Sequence, residues 1–329
     1  MKNTVSVVIL NWNGAGVTYD CLRSLQKQTY KPKEIIVVDN GSTDGSDKYI
    51  QQHFKFAKLL KQPTNLGFAG GVNVGIKAST SDYVLLLNND ATCEPNCIEE
   101  LVQTAKANRA DITQAVIVTN SGKLIDSAGD EYTIWGLPFP GLRNQSVDKL
   151  PKVDKAIFSA SGGASLYKKS IFSSIGYFDE HFFAYYEDVD ISMRAQLQGK
   201  SIWLSTKAIV HHKMNYSSNR VPGLGREMSI RNSIYIFWKD LPYPLNLKIF
   251  PRFLYANWRI TASAVLHGHP WRAIRAHLVA ITKTPYLLRS RKAIQDNRKL
   301  TAKEFEDLLS KQNPFNLYKN ILNKSKKYD

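Results

Sequence analysis

Cysteine is scarce: Cys21, Cys93 and Cys97 are the only three in 329 residues. An odd number without paired spacing makes no disulfide framework and fits a reducing, cytoplasmic setting. Two neighbouring thiols without a further His or Cys set make a poor zinc site, so all three read as ordinary buried side chains. Long hydrophobic runs are missing too. No stretch reaches the roughly 18 uncharged apolar residues of a spanning helix, so no transmembrane segment is expected. The apolar run Val5–Leu10 falls short of a signal-peptide core, and no cleaved leader is expected. Internal repeats and low-complexity tracts are absent, which excludes repeat architectures. Acidic residues thin out in only one part of the chain. Up to Thr206 there are 21 Lys plus Arg against 21 Asp plus Glu; from Lys207 the count is 23 against 7, so the net charge of +16 lies there. The basicity is a local feature with a local purpose.

What is present is the composition of a globular protein, 43% hydrophobic and 11% aromatic, long enough for one large α/β domain and a smaller appendage. Val5–Leu10, Glu34–Val38 and Tyr83–Leu87 are nearly continuous apolar runs, as strands buried on both faces require. Helical patterns separate them over about 17–28, 46–54 and 70–78, with a short strand at Leu59-Leu60. This alternation predicts a mostly parallel sheet with helices on both faces. The polar residues that end the strands are Asn11 and Asn13, Asp39 and Asn40, and Asn88 to Asp90. They are expected to converge on one crevice at the carboxyl ends. Turn chemistry explains one such cluster; three in successive units point to a ligand site. The middle, about 112–158, is irregular and rich in Gly and Pro; it reads as extra strands and loops shaping a second binding surface, and no chemistry is assigned to it. Beyond about Asn215 the chain turns basic, aromatic and helical.

Four constellations carry chemistry. Asp90, exposed at the end of a buried strand, suits a hard divalent cation or, alternatively, a helix cap. Asn65-Leu66-Gly67-Phe68-Ala69-Gly70-Gly71-Val72-Asn73 is a glycine-rich loop leading into a helix, where backbone amides favour a diphosphate. Asp179, Glu180, Glu187, Asp188 and Asp190 are interleaved with Phe and Tyr, surroundings that raise carboxyl pKa values toward general-base work. An acidic first turn of a helix starting near Val189 explains part of that run. His211-His212 end a strand-like stretch, and either imidazole could join a carboxylate metal site.

In this order the pieces resemble glycosyltransferase family 2, and within it the rhamnosyltransferase-like bacterial enzymes. The resemblance covers about Val5 to Ser218. It rests on Val7–Asn13, Ile36–Ser42, Asn65–Asn73, Leu87–Asp90, and Ser161-Gly162-Gly163 through Arg194. It implies a GT-A fold, a Rossmann-like α/β/α sheet, over 1–218, with a nucleotide-sugar half to about 110 and an acceptor half from about 111. A basic, mainly helical extension follows over 219–329. The implied reaction is inverting transfer of a sugar from a nucleoside-diphosphate donor. By the resemblance Asp39 reads the base, with Asn11 and Asn13 in the same pocket. Asn65, Gly67 and Asn73 match the loop around the diphosphate, and Asn89 lies within the metal motif. Asn88 stands where that motif usually has its first Asp, leaving Asp90 as its one anionic ligand for Mn²⁺ or Mg²⁺. His212 matches the histidine that completes the metal site, with Ser217 following and His211 as second choice. Gly162 and Gly163 match the loop beneath the transferred sugar, Asp188 the catalytic base and Glu187 its acidic neighbour. Asp190 is read as orienting or capping the helix. The donor expected first is dTDP-L-rhamnose, with UDP-galactofuranose and UDP-N-acetylhexosamines open. The acceptor is a glycan, polysaccharide or polyprenyl-linked sugar.

In the tail, Leu247, Phe250, Leu254, Trp258 and Val265 recur at helical spacing beside Lys248, Arg252 and Arg259, with Pro251 and Pro270 as helix starts. Such a face grips an anionic membrane surface, with Lys324, Lys326 and Lys327 adding charge, or it packs on the catalytic domain, or it forms a homodimer surface. The expected location is the cytoplasmic face of the cell membrane, peripherally bound. A basic nucleic-acid-binding protein and an inactive sugar-nucleotide-binding scaffold are the rival readings. The sequence has no nucleic-acid recognition motif, and its charge lies away from the crevice, so no nucleic acid partner is expected.

Overall fold

The continuous apolar runs form the middle of a mixed sheet, because parallel strands covered on both faces have no wet side for polar residues. The computed structural model describes residues 3–213 and 221–316. Ser217, the 218/219 boundary and Lys324, Lys326 and Lys327 lie outside the described residues.

The strands are β1 (Val5–Asn11), β2 (Glu34–Asp39), β3 (Ala57–Lys61), β4 (Tyr83–Asn88), β5 (Ala91–Cys93), β6 (Ile112–Thr119), β7 (Ile125–Ser127), β8 (Asp130–Tyr132), β9 (Pro138–Pro140), β10 (Lys155–Ala156), β11 (Ala164–Lys168) and β12 (Ile202–His212). In the main sheet their order is β10-β12-β6-β11-β4-β1-β2-β3, with β5 on β12 and β7 on β6. β3, β2, β1 and β4 are parallel; β11 runs against both β4 and β6. The helices of the first part are α1 (Ala15–Gln26), α2 (Ser46–His53), α3 (Gly67–Ala78), α4 (Cys97–Ala107), α5 (Ile171–Ile175) and α6 (Glu187–Leu197). Along β1 the side chains alternate: Val7 and Ile9 join the core with α1 and α4, and Val8 the core with α3 and α6.

Three elements differ from the sequence reading. Ile112–Thr119, read as part of the extra strands and loops around a second binding surface, is a buried strand in the heart of the sheet, extended because its partners β11 and β12 come from far along the chain. The stretch read as loop up to Ala69 is already the first turn of α3, which begins at Gly67. Pro251 does not start a helix. It sits inside α8, while Pro270 does open α9.

The second part is helical: α7 (Leu224–Lys239), α8 (Leu245–Leu266), α9 (Pro270–Thr282), α10 (Thr284–Asp296) and α11 (Ala302–Asp307). No helix among the described residues is long and apolar enough to cross a membrane. α7 is bound tightly into the first part. Its Tyr235, Ile236 and Phe237 share a core with Phe182, Val189 and Met193. At its end the buried Lys239 reaches two carboxylates, 2.5 Å from Asp179 Oδ2 and in contact with Asp190, which Arg194 also grips at 2.7 Å. The neighbouring Asp240 is buried beside Asp190, and burial first and then that charge hold its carboxyl well above the usual range. Removing the cation from this cluster leaves carboxylates unpaired in the interior. Lys239→Met keeps most of the volume, yet it is expected to lower unfolding free energy by about 3 kcal/mol or more in a urea titration.

Candidate active site

Strand register brings the site together. Asn11 pairs with Asp39 at the ends of β1 and β2, and Leu10 with Asn88 of β4. Four parallel strands therefore stop at one edge, and their loops carry the candidate residues.

Beneath the nucleotide half lies a closed polar network. Asn11 is fully buried. Its amide donates to Asp39 Oδ1 (2.9 Å) and Ser46 Oγ (2.9 Å), and its carbonyl accepts from Thr18 Oγ1 (2.9 Å). Asn89 turns back into the same network, 3.1 Å from Thr18 Oγ1. Asn11 and Asn89 thus brace the crevice floor instead of lining it, a correction to the sequence reading. Asn13 lies above, its backbone in the left-handed region at φ 52 and its side chain accepting from Thr43 N at 2.7 Å.

The glycine-rich segment is organised likewise. Asn65 Oδ1 accepts from Asn40 Nδ2 (2.9 Å) and Gly67 N (2.8 Å). Gly67 must be glycine: its φ is +73, and a Cβ would stand 2.3 Å from Phe183 O. Asn73, expected near the diphosphate, is buried in α3. It clasps Phe178 through N–H···O bonds of 2.8 and 3.0 Å and donates to Glu180 Oε1 at 3.0 Å. Both amide N–H groups and one acceptor position of the side chain hold the acidic segment, so in this structure it acts as a clamp.

That segment carries the candidate base. Phe183, Tyr185 and Tyr186 have positive φ (65, 68 and 70), conformations costing about 1–3 kcal/mol each unless the surroundings enforce them. α7 enforces them. Asn232 Nδ2 reaches Phe182 O (3.1 Å), Ala184 O (2.9 Å) and Tyr185 O (2.6 Å), and Arg231 also donates to Phe182 O at 2.6 Å. The strained turn delivers Glu187 and Asp188 at the start of α6. Asp188 accepts from Gly162 N (3.0 Å) and from Val189 N (2.9 Å). Burial nevertheless raises its pKa over those donors. Glu187 is buried, and burial, then the charges of Asp188 and Asp190, hold it well above the carboxylate range; its Oε2 has no hydrogen-bond partner among the described residues. Asp190 faces inward to Lys239 and Arg194, as an orienting residue does.

Across the Gly162-Gly163 loop lies the metal candidate. Asn88 N donates to Gly163 O at 3.0 Å, so one loop links base and metal motif. Alternation sends Asn88 and Asp90 to the side opposite Asn89. His212 Nε2 lies 3.1 Å from Asp90 Oδ1 and 3.5 Å from Asn88 Nδ2. The next-door His211 points away, to Glu94 Oε1 at 2.8 Å. His212 Nδ1 is 2.8 Å from Asp126 Oδ2, and Arg143 stands 3.1 Å from the other Asp126 oxygen. Burial would lower the His212 pKa, but Asp126 and Asp90 outweigh it and push it up to about 9. With carboxylates on both nitrogens the metal-free ring is a charged double donor. The donor set, a carboxylate and an imidazole whose remote nitrogen is braced by a second carboxylate, fits a divalent cation that takes its other oxygens from substrate and water.

Two residues escaped the sequence reading. Asp126, in the stretch assigned no chemistry, orients His212. Asp130 accepts from Ser127 Oγ at 2.7 Å, and burial followed by the Asp188 charge pushes it up to about 7. Neither has a local signature. The periodic run of β6 and its short return strand β7 were the available signal for Asp126.

A parallel sheet ending in a nucleotide-type crevice, with an acidic turn and a carboxylate–histidine pair on either side of a glycine loop, defines a GT-A glycosyltransferase architecture. Residues 6–176, just over half of the chain, match the profile of "Glycosyl transferase family 2". The N-acetylglucosaminyl-diphospho-decaprenol L-rhamnosyltransferase of Mycobacterium tuberculosis is 29% identical over 268 residues, 73% of this chain and 85% of the relative. Two solved structures share the fold: Staphylococcus aureus TarS (TM-score 0.58, 18% identity, 92% of this chain and 55% of TarS) and the mannosyltransferase PcManGT from Pyrobaculum calidifontis in complex with GDP-Man and Mn²⁺ (TM-score 0.54, 17%, 89% and 85%). The chain therefore spans only about half the length of TarS. It belongs to glycosyl transferase family 2 and is a glycosyltransferase.

His212 gives this site a pH signature. Its folded pKa, about 9, lies above the ordinary value of 6.5. The stabilisation is therefore fully present below pH ~6.5 and lost as pH rises through about 9. In metal-free protein, thermal melts should lose stability across that window, by an amount on the order of 3 kcal/mol, and His212→Gln should flatten the profile.

Proposed function

We propose that the protein is an inverting transferase that moves a hexose, L-rhamnose from dTDP-L-rhamnose in the first instance, onto a lipid-linked or polysaccharide acceptor in bacterial cell-surface glycan synthesis. The observation that carries it is the Gly162-Gly163 loop, which ties Asp188 to the strand end holding Asn88 and Asp90. The L-rhamnosyltransferase relative named above supports the choice of sugar. A lipid-linked acceptor requires work at a membrane face, so cytoplasmic, peripheral attachment belongs to the proposal.

In this reading Asp39, Asn13 and Asn65 hold the nucleotide, and Gly162 and Gly163 lie under the sugar. Asp188 takes the proton of the acceptor hydroxyl, which attacks the anomeric carbon from the face opposite the diphosphate. Its raised pKa keeps it basic enough for that transfer near neutral pH. Burial, and then the charge of Asp188 itself, raise the neighbouring Glu187 carboxyl well above its ordinary range, which disfavours a second negative charge beside the base. Asp90 Oδ1 and His212 Nε2 would hold Mn²⁺ or Mg²⁺. Such an ion, when bound, neutralises charge on the leaving diphosphate, an effect worth several kcal/mol.

The test is turnover with a panel of nucleoside-diphosphate sugars, read together with ligand-induced shifts in melting temperature. Turnover with one donor, and a kcat roughly 10²–10⁴-fold lower in Asp188→Asn at nearly unchanged donor affinity, supports the reading. An Asp188→Asn enzyme with full kcat overturns the assignment of the base; no shift and no turnover with any donor overturns the donor site. Metal binding has its own signature. Coordination at Nε2 must release the proton that His212 holds up to about pH 9, so Mn²⁺ affinity measured by titration calorimetry should rise roughly tenfold per pH unit below that value. A pH-independent affinity would remove His212 from the ligand set.

A further inference from the structure

Of the α8 face singled out from sequence only Phe250 packs inward, against Phe237 and Trp238 of α7; Leu247, Leu254, Trp258 and Val265 are exposed. The helix buries Leu245, Ile249, Phe253 and Ala256 instead, and leaves Leu254 and Trp258 in solvent. α9 behaves the same way. It buries only Ala273, Ala276 and Ala280, and exposes Trp271, Leu278 and Ile281. The small residues bring both helices against α7, where Ile230, Ala264, Ala273 and Ala276 form one cluster. At the turn between them Leu266 is 85% exposed and Trp271 79%, and Trp258 further along α8 is 61% exposed. A hairpin with its aliphatic and indole side chains turned outward is unusual on a monomer in water.

The charge around this hairpin has one sign. From Leu241 to Gln295 there are nine Lys plus Arg and no Asp or Glu. Some cations are neutralised from elsewhere: Arg272 and Arg275 by Glu227, and Lys248 by Glu306. Arg259 follows Trp258 directly, Lys283 comes two residues after Ile281, and Arg289 stands beside the exposed Leu288. Apolar side chains at the tip with cations along the flanks match the layering of a lipid surface, hydrocarbon below and anionic headgroups above. A second copy of this chain fits poorly. A two-fold contact through the hairpin would set arginine and lysine against arginine and lysine with no acid from the same stretch to intervene.

We propose that the α8–α9 hairpin is a membrane-docking surface, with Trp258, Leu266 and Trp271 entering the interface of an anionic bilayer and Arg252, Arg259, Lys283 and Arg289 lying at its headgroups. This deepens the reading of a membrane-borne acceptor, and rests on it only for its purpose: neither donor nor metal is needed for the surface to bind. The cost of attachment is small because these side chains are already ordered and solvent-exposed.

Cosedimentation of the full chain with vesicles tests it, comparing phosphatidylglycerol–phosphatidylcholine mixtures with phosphatidylcholine alone. Binding is expected to the anionic vesicles, weakening with added salt as headgroup attraction is screened, with a blue shift of tryptophan emission. The double variant Leu266→Ser/Trp271→Ser should bind roughly tenfold or more weakly while keeping the wild-type melting temperature, since both side chains are exposed. Arg259→Gln/Arg289→Gln should lower affinity for anionic vesicles only. Unchanged vesicle binding in the serine variant, or equal binding to both vesicle types, overturns the proposal. So does a wild-type dimer on sizing that the serine variant dissolves, which would make the hairpin a self-interface. Turnover without vesicle binding refutes the surface and leaves the transferase reading intact; binding without turnover does the reverse.

Discussion

The conformation of Phe178–Tyr186 is the constraint on which the site depends. Three of its residues adopt backbone angles that L-amino acids avoid, and its only regular element is the single 3-10 turn Glu180–Phe182. It persists because it is clasped from two sides. α3 holds it through Asn73 on Phe178 and through Ala69 N on Phe183 O; α7 holds it through Arg231, Asn232 and the Lys239–Asp179 pair. Both clasps use donors that would be costly to leave unpaired in the interior, so the turn cannot relax without several losses together. The helices after residue 220 therefore do more than attach a basic surface: one of them builds the turn that presents Asp188.

Electrostatics divide the site into two compartments. On the side of the candidate base, burial raises the Asp188 carboxyl, and burial followed by the Asp188 charge raises Glu187 and Asp130. On the other side, a charged His212 between Asp90 and Asp126, with Arg143 behind, forms a charge-balanced knot of two cations and two carboxylates in the metal-free protein. A proton acceptor and a cation locus thus stand on either side of one glycine loop. The loop's lack of side chains is what allows that: a Cβ on Gly163 would lie 3.3 Å from Asn88 Nδ2, and one on Gly162 3.0 Å from the Phe68 ring.

Much of the fold was legible locally. Val5–Leu10, Glu34–Val38 and Tyr83–Leu87 are strands because nothing else accommodates unbroken apolar runs of that length between helical patterns, and their polar endings marked the correct edge of the sheet. Asp90, His212, Asp188 and Gly162 lie in one connected constellation. Less legible was the direction in which polar residues face. Asn11, Asn73 and Asn89 stand in the right segments yet spend their amides inside the protein, and Asp126 faces the site without having been assigned to it. The central place of β6 in the sheet was not legible, because its pairing partners are supplied from residues 164–168 and 202–212.

The sequence by itself determined the alternating α/β order, the glycine positions, the strand-end polar clusters and the segregation of positive charge. These depend on periodicity and composition over a few residues, which a linear reading contains. Only the tertiary structure decided that His212 and not His211 meets Asp90, that α7 braces the turn before Asp188, and that the apolar stripe of α8 faces outward except at Phe250. Those outcomes depend on contacts between residues 50 to more than 100 positions apart, such as His212 with Asp90 and Asn232 with Phe182. Such pairings are set by how layers pack against one another, and packing is a property of the whole chain.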